Sequence, residues 1–184
     1  AHLNMSNTTF FTNGAGTDTA GGLNANVDYT GSTPGQWGWE GVNFTDNAGA
    51  ISITVTGDWW WNANNTVLFN NTGGLQLSLT GNSKSTLRLT NWTDSQNGRK
   101  AMSATVDTTT ALDFECVGCT LSDNTGNESN VQVVFKSTLD GNRVVWQHGS
   151  FKSNAATVLL YSTDATDSNV GTTYFEISNC VFVD

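Results

Sequence analysis

Proline occurs once in this chain of 184 residues, at Pro34, and charge is nearly as scarce, at 12% of residues against ~25% in ordinary globular proteins. Seven basic residues are scattered among sixteen acidic ones, for a net charge of −9. No cationic patch is therefore available for nucleic acid or an anionic membrane surface. No apolar run approaches the ~20 residues of a membrane span, none resembles a secretory leader, and no long stretch has helical periodicity. Polarity comes instead from Asn, Thr, Ser and Gly, which favour turns and solvated strand faces. Seven Trp and nine Phe exclude a disordered chain, since such chains lack aromatic residues. These features predict an all-β protein forming a single domain over residues 1–184, long enough for a sizeable core.

A degenerate repeat runs through the chain. "FEISNCVFVD" at the end overlays "VVWQHGSFKSN", with Phe182 set on Phe151, and "FECVGCTLSDN", with Leu121 in the same column. "STLRLTNWTDS" joins through Trp92, "WGWEGVNFTDN" through Phe44, "LNMSNTTFFTN" through Phe10 and "VLFNN" through Phe69. Each anchor usually has another apolar residue five positions earlier: Met5, Trp39, Leu87, Cys116, Trp146 or Ile177. Asn often follows three positions later, at Asn13, Asn47, Asn124 and Asn154, and then a second alternating run begins. Asn suits a sharp turn because it tolerates left-handed backbone, and its amide can bond to the coil above or below. Anchor spacings of 34, 25, 23, 29, 30 and 31 residues fit a solenoid whose loops vary while its strands stack.

With these repeats the chain resembles the right-handed parallel β-helix, the pectin-lyase-like superfamily, over nearly its whole length. The expected fold is a right-handed parallel β-solenoid of about six to seven coils without evident caps. A β-sandwich with similar alternation is the alternative; the turn Asn and the paired runs favour the solenoid. Likeness to pectate lyases would imply calcium-binding acids beside a catalytic Arg or Lys. Likeness to polygalacturonases would imply an acid–base pair of carboxylates. Fold alone does not choose among lyases, glycosidases, tailspikes and adhesins.

Two positions after the anchor stand Asp46, Asp94, Asp123 and Asp184. Stacked one coil apart, at ~4.8 Å, Asp94 and Asp123 would share a proton, hold calcium or cap the turn. No basic residue shares their repeat position, His2 and His148 have no ligand partner nearby in sequence, and no nucleophile or phosphate-binding motif is present. No catalytic residue is assigned, and no cofactor beyond possible calcium. In "GDWWWNANN", alternation must send Trp60 to the face opposite Trp59 and Trp61. An outward Trp there could pack beneath a loop, seal an interface or stack on a sugar.

Cys116 and Cys119 could bond locally, although such a short loop is strained in extended backbone. Cys119 and Cys180 share a repeat position two coils apart, too far for a disulfide, which leaves Cys180 for the core or a neighbouring subunit. Sequons at Asn4, Asn7, Asn43, Asn64, Asn70, Asn91 and Asn127 suit a glycosylated surface protein, although this composition generates most of them by chance. The opening AHLNMSNTTFF, without an initiator Met, suits a processed, secreted chain.

The repeat starts by Leu3 and runs to the last residue, so a cap is not expected at either end. Leu3, Met5 and Phe10 at one end and Phe175, Ile177 and Phe182 at the other are the candidate assembly residues. The expected function is that of an extracellular structural protein joining copies of itself head to tail into a filament, sheath or surface layer. A glycan-binding adhesin or a polysaccharide-cleaving β-helix is the alternative.

Overall fold

The computed structural model describes residues 2–11, 22–29, 33–49, 51–81, 83–98, 101–125, 131–152, 159–163 and 171–183. These residues contain strands and no helix. The strands succeed one another in sets of three. The first is β1 (His2–Ser6), β2 (Thr9–Phe11) and β3 (Asn24–Tyr29). The second is β4 (Gly35–Glu40), β5 (Asn43–Thr45) and β6 (Ile51–Gly57), and the third β7 (Trp59–Asn64), β8 (Val67–Phe69) and β9 (Leu75–Thr80). The fourth is β10 (Ser83–Thr90), β11 (Thr93–Ser95) and β12 (Met102–Val106), and the fifth β13 (Thr110–Val117), β14 (Thr120–Ser122) and β15 (Val131–Phe135). Then come β16 (Asn142–Gln147), β17 (Ser150–Lys152) and β18 (Leu159–Thr163), followed by β19 (Thr173–Ser178) and β20 (Val181–Val183).

Like members stack in parallel, giving two seven-stranded sheets, β1-β4-β7-β10-β13-β16-β19 and β2-β5-β8-β11-β14-β17-β20, and a six-stranded sheet running from β3 to β18. We call them the first, second and third sheets. The architecture is a parallel β-solenoid of about five turns, slightly fewer than the six to seven coils expected.

Strand alternation fills the interior. In β6, Ile51, Ile53 and Val55 face inward and are 1% exposed, while the intervening Ser and Thr face out. Trp37, Trp39, Trp59, Trp61 and Trp92 form a cluster of edge-to-face and stacked rings, with Trp39 and Trp61 centroids 4.6 Å apart. Truncating one such core ring costs ~3–5 kcal/mol. The Trp37 indole N–H donates to the Tyr29 hydroxyl at 2.7 Å, but those of Trp39, Trp59, Trp61 and Trp92 have no partner. Each unpaired group offsets burial by ~1–3 kcal/mol.

The corner between the first and second sheets turns on one left-handed residue in every set: Asn7, Gly41, Asn65, Asn91, Gly118, His148 and Asn179, with φ between 46° and 65°. Only Asn and Gly adopt this conformation readily, which explains six of the seven.

The strand pairing corrects the repeat alignment. Phe10, Phe44, Leu68, Asp94, Leu121, Phe151 and Phe182 form one column. Phe69 is thus displaced by one position and faces outward, while Trp92 is displaced by two and lies buried at the corner. Leu89, rather than Leu87, stands level with Cys116. Side-chain size misleads here because in the fourth set the anchor position is not apolar.

Candidate functional surfaces and a buried acid

The expected Asp94–Asp123 pair does not form. Asp94 points into the core and is 0% exposed, whereas Asp123 takes the left-handed corner (φ 55°) and faces solvent. The corner column of Asp123 is Asp46, Asn70 and Gln96, with the Asn70 amide donating to Asp46 at 2.6 Å. No calcium-binding pair therefore arises there. Among the described residues no group of three or more His, Cys, Asp or Glu is placed to hold a metal ion. Asp184 lies outside the described residues.

Beside Asp94 runs an asparagine ladder. The side-chain oxygen of Asn71 accepts from the Asn47 N–H at 2.9 Å, that of Asn97 from the Asn71 N–H at 2.7 Å, and that of Asn124 from the Asn97 N–H at 2.9 Å. Their amides donate in turn, Asn71 to the Phe44 carbonyl at 3.0 Å and Asn97 to Asp94 Oδ1 at 2.8 Å. All four are buried, and each satisfies backbone groups that the turn leaves without a strand partner. The expected contact from coil to coil is present, but the left-handed residue is the one preceding each ladder Asn. Asn13 and Asn154 lie outside the described residues. Asp94 Oδ2 has no hydrogen-bond partner. Burial pushes the carboxyl up to about 8 against the opposing pull of the Asn97 and Asn124 amides, so the interior favours the neutral acid.

A second acidic cluster, absent from the repeat pattern, lies on the outer face of the first sheet. Arg88 contacts Asp113 at 2.6 Å and Glu115 at 3.0 Å, and Arg143 contacts the same acids at 3.1 and 3.5 Å. Thr86 and Arg88 of β10, Asp113 and Glu115 of β13, and Arg143 of β16 are brought level by the parallel register. Burial opposes ionisation of Asp113, but bonds from Arg88 and Arg143 outweigh it and hold the carboxyl below its ordinary value. Each acid here is neutralised by a guanidinium, an arrangement suited to joining adjacent coils. Parallel ladders reveal such neighbours only after the register is fixed.

The Trp triplet splits as alternation requires: Trp59 and Trp61 are fully buried and Trp60 is 53% exposed. Trp60 heads a region of the same outer face lined by no Lys or Arg, where two depressions of about 330 and 340 Å³ flank Gly38. His2, Asn4, Gln36 and Asn62 line the first; Asn4, Glu40, Asn62 and Asn64 line the second.

Cys116 and Cys119 form a disulfide with Cα atoms 5.9 Å apart, and Cys180 is free and partly buried. The strain expected of an extended loop is avoided because Gly118 (φ 65°) turns the chain between the two cysteines. Cys180 fits beneath Gly149, where an added Cβ would come within 3.2 Å of its sulfur. Of the sequons, Asn4, Asn7, Asn64, Asn70 and Asn91 are exposed and Asn43 is half-buried; Asn127 lies outside the described residues.

The outermost sets differ from the interior. Leu3, Met5 and Phe10 are only partly buried, and Phe175, Ile177 and Phe182 are 43%, 39% and 53% exposed. Their counterparts in inner sets, Trp39, Phe44 and Trp146, are at most 1% exposed. Outward positions of the second sheet are also apolar there, at Phe11, Val181 and Val183; in the inner sets the column of Phe11 and Val183 holds Thr45, Ser95, Ser122 and Lys152, with Phe69 as its apolar member.

No protein-family model matches the chain, and comparison with curated proteins and with solved structures returned no match either. The solenoid assignment rests on the strand ladders themselves.

Proposed function

We propose that this protein is a secreted, extracellular structural subunit that joins copies of itself head to tail into a filament, sheath or surface layer, without catalysing a reaction. The observation that carries this reading is the match between the outermost sets. Laying Phe182 over Phe10 sets Phe175 on Leu3, Ile177 on Met5 and the corner residue Asn179 on Asn7, all at one constant offset. Phe10 already stacks on Phe44 at 4.5 Å and Phe151 on Phe182 at 4.7 Å, so a Phe182–Phe10 contact would repeat an existing packing unit. Val181 and Val183 would meet Thr9 and Phe11 on the outer surface, covering apolar groups that no core explains. Open strand edges supply main-chain bonds for the same joint.

Further support comes from the Cys116–Cys119 disulfide, which suits an oxidising compartment. Exposed sequons suit the same location, and the scarcity of Lys and Arg suits a surface resisting proteases that cut at basic residues. On the non-catalytic side, the described carboxylate cluster with basic partners is internally ion-paired.

The contact is heterologous, so each copy has a donor and an acceptor end. Light scattering and negative-stain images of the purified chain should show long polymers. Phe10→Asp and Phe182→Asp should each stop growth, and mixing these two variants should yield a species of twice the chain mass and nothing longer. A wild-type sample that stays at 19.6 kDa at high concentration would overturn the reading.

A further inference from the structure

We propose that the depression over Gly38 is a binding site for a neutral glycan chain, with Trp60 as its stacking platform. The outward positions of β1, β4 and β7 form a three-by-three grid: His2, Gln36 and Trp60, then Asn4, Gly38 and Asn62, then Ser6, Glu40 and Asn64. Gly38 occupies the centre. Without a side chain there, the grid is hollow, and the two depressions meet over its backbone. Its backbone does not require glycine, because its φ is not among the positive values of the fold. An added Cβ would meet only the Asn4 side chain, at 2.9 Å from its oxygen. The void therefore results from a residue choice that the strand itself does not demand.

Trp60 supplies the second observation. The other six Trp residues are at most 4% exposed, whereas Trp60 leaves half of a large apolar ring in water beside this hollow. A pyranose offers the matching shape: an apolar C–H face for the indole and a rim of hydroxyls for groups that both donate and accept. Asn4, Gln36, Asn62 and Asn64 are amides with that double capacity. They come from three successive strands, Asn4 from β1, Gln36 from β4, and Asn62 and Asn64 from β7, spaced ~4.8 Å along the solenoid axis, a spacing comparable to one sugar ring in an extended chain. No Lys or Arg lines either depression, and the one acid, Glu40, already accepts from the Asn65 amide at 2.7 Å. An acidic glycan would find no permanent cation there, with His2 the sole titratable base in the lining, and would face the Glu40 carboxylate, so the ligand class is neutral.

This site adjoins the proposed joint between copies, because β1 supplies His2, Asn4 and Ser6 to the grid, but its centre, Gly38, and its platform, Trp60, lie on β4 and β7, one and two strands further in. Because Trp60 alone among the tryptophans reaches solvent, acrylamide quenching of intrinsic fluorescence reports it selectively. The quenchable fraction should vanish in Trp60→Phe. Of cellohexaose, chitohexaose, xylohexaose and maltohexaose, at least one should protect Trp60 saturably, while hexagalacturonate should not. Gly38→Gln should fill the hollow and weaken that protection at least tenfold, leaving acrylamide access in the free protein and polymer length unchanged. Gln36→Ala, which leaves the hollow open, should weaken it several-fold. The proposal is overturned if no neutral oligosaccharide protects at millimolar concentration, if hexagalacturonate is preferred, or if Gly38→Gln binds as wild type. Protection on raising protein concentration alone would overturn it too, by making Trp60 a contact between copies.

Discussion

Asp94 and Asp113 are both carboxylates held by polar side chains within a parallel ladder, and their surroundings drive them in opposite directions. Asp94 stands in the column of Phe44, Leu68 and Leu121, is held by uncharged amides and keeps an oxygen without a partner. Asp113 lies on the outer face of the first sheet between two guanidinium groups and partly meets water. Burial dominates the first and raises its pKa to about 8; the arginines prevail at the second and lower it. An amide partner satisfies hydrogen-bond geometry without supplying charge, so it does not offset the desolvation of an ion.

The sharpest way to break the comparison is to remove ionisation at Asp94. Its folded pKa lies above the unfolded value, so stability is highest at acid pH and is lost as pH rises from about 4 through about 8. Asp94→Asn keeps an acceptor for the Asn97 amide and cannot ionise. It should stabilise the fold by roughly 3–5 kcal/mol at pH 9 and by almost nothing at pH 4. Urea titrations of both forms across that range measure this difference. A parallel loss of stability in both forms would show that another group governs the alkaline limb.

A smaller effect is expected at the partner. Asn97→Ala leaves the Asn71 N–H and Asp94 Oδ1 unsatisfied in the interior, a loss of about 3 kcal/mol. Hydrogen exchange should localise it, with the Asn71 amide losing protection first. The smallest belongs to the surface cluster. Asp113→Asn should cost about 1 kcal/mol at pH 7 and low salt, since the groups are partly solvated. The lowered pKa of Asp113 places its contribution above the unfolded carboxyl pKa, and it is lost as pH falls through the folded value. The cost should therefore shrink at acid pH and in 1 M salt. Denaturant midpoints in both salts would show it.

Much of the winding is legible in the residue pattern alone. The alternation in "ISITV" and "LQLSL", the overlay of Phe182 on Phe151 and the placing of Trp60 opposite Trp59 and Trp61 all follow from a period of two, whereas which of them faces solvent came from the structure. The fourth set misaligns because Trp92, its largest side chain, is not its column residue. A different regularity fixes the register: the corner residue and the ladder Asn stand six positions apart in Gly41/Asn47, Asn65/Asn71, Asn91/Asn97 and Gly118/Asn124. That spacing is set by backbone geometry at the turns, which varies less than the identity of a core side chain. The Arg88–Asp113–Glu115–Arg143 cluster and the hollow at Gly38 are not legible in this way, because both depend on which residues of different coils stand side by side.

The sequence by itself determined the class of the chain and the inward or outward sense of most strand residues, since alternation is local and needs no partner. Tertiary structure decided the register between coils, and with it that Asp94 is buried away from Asp123, that Cys116 pairs with Cys119, and that Trp60 overlooks an open grid. Paired neighbours in this solenoid lie 24 to 34 residues apart across loops of unequal length. Only the formed ladder, through its hydrogen bonds and matched core columns, selects one alignment among several that the pattern allows.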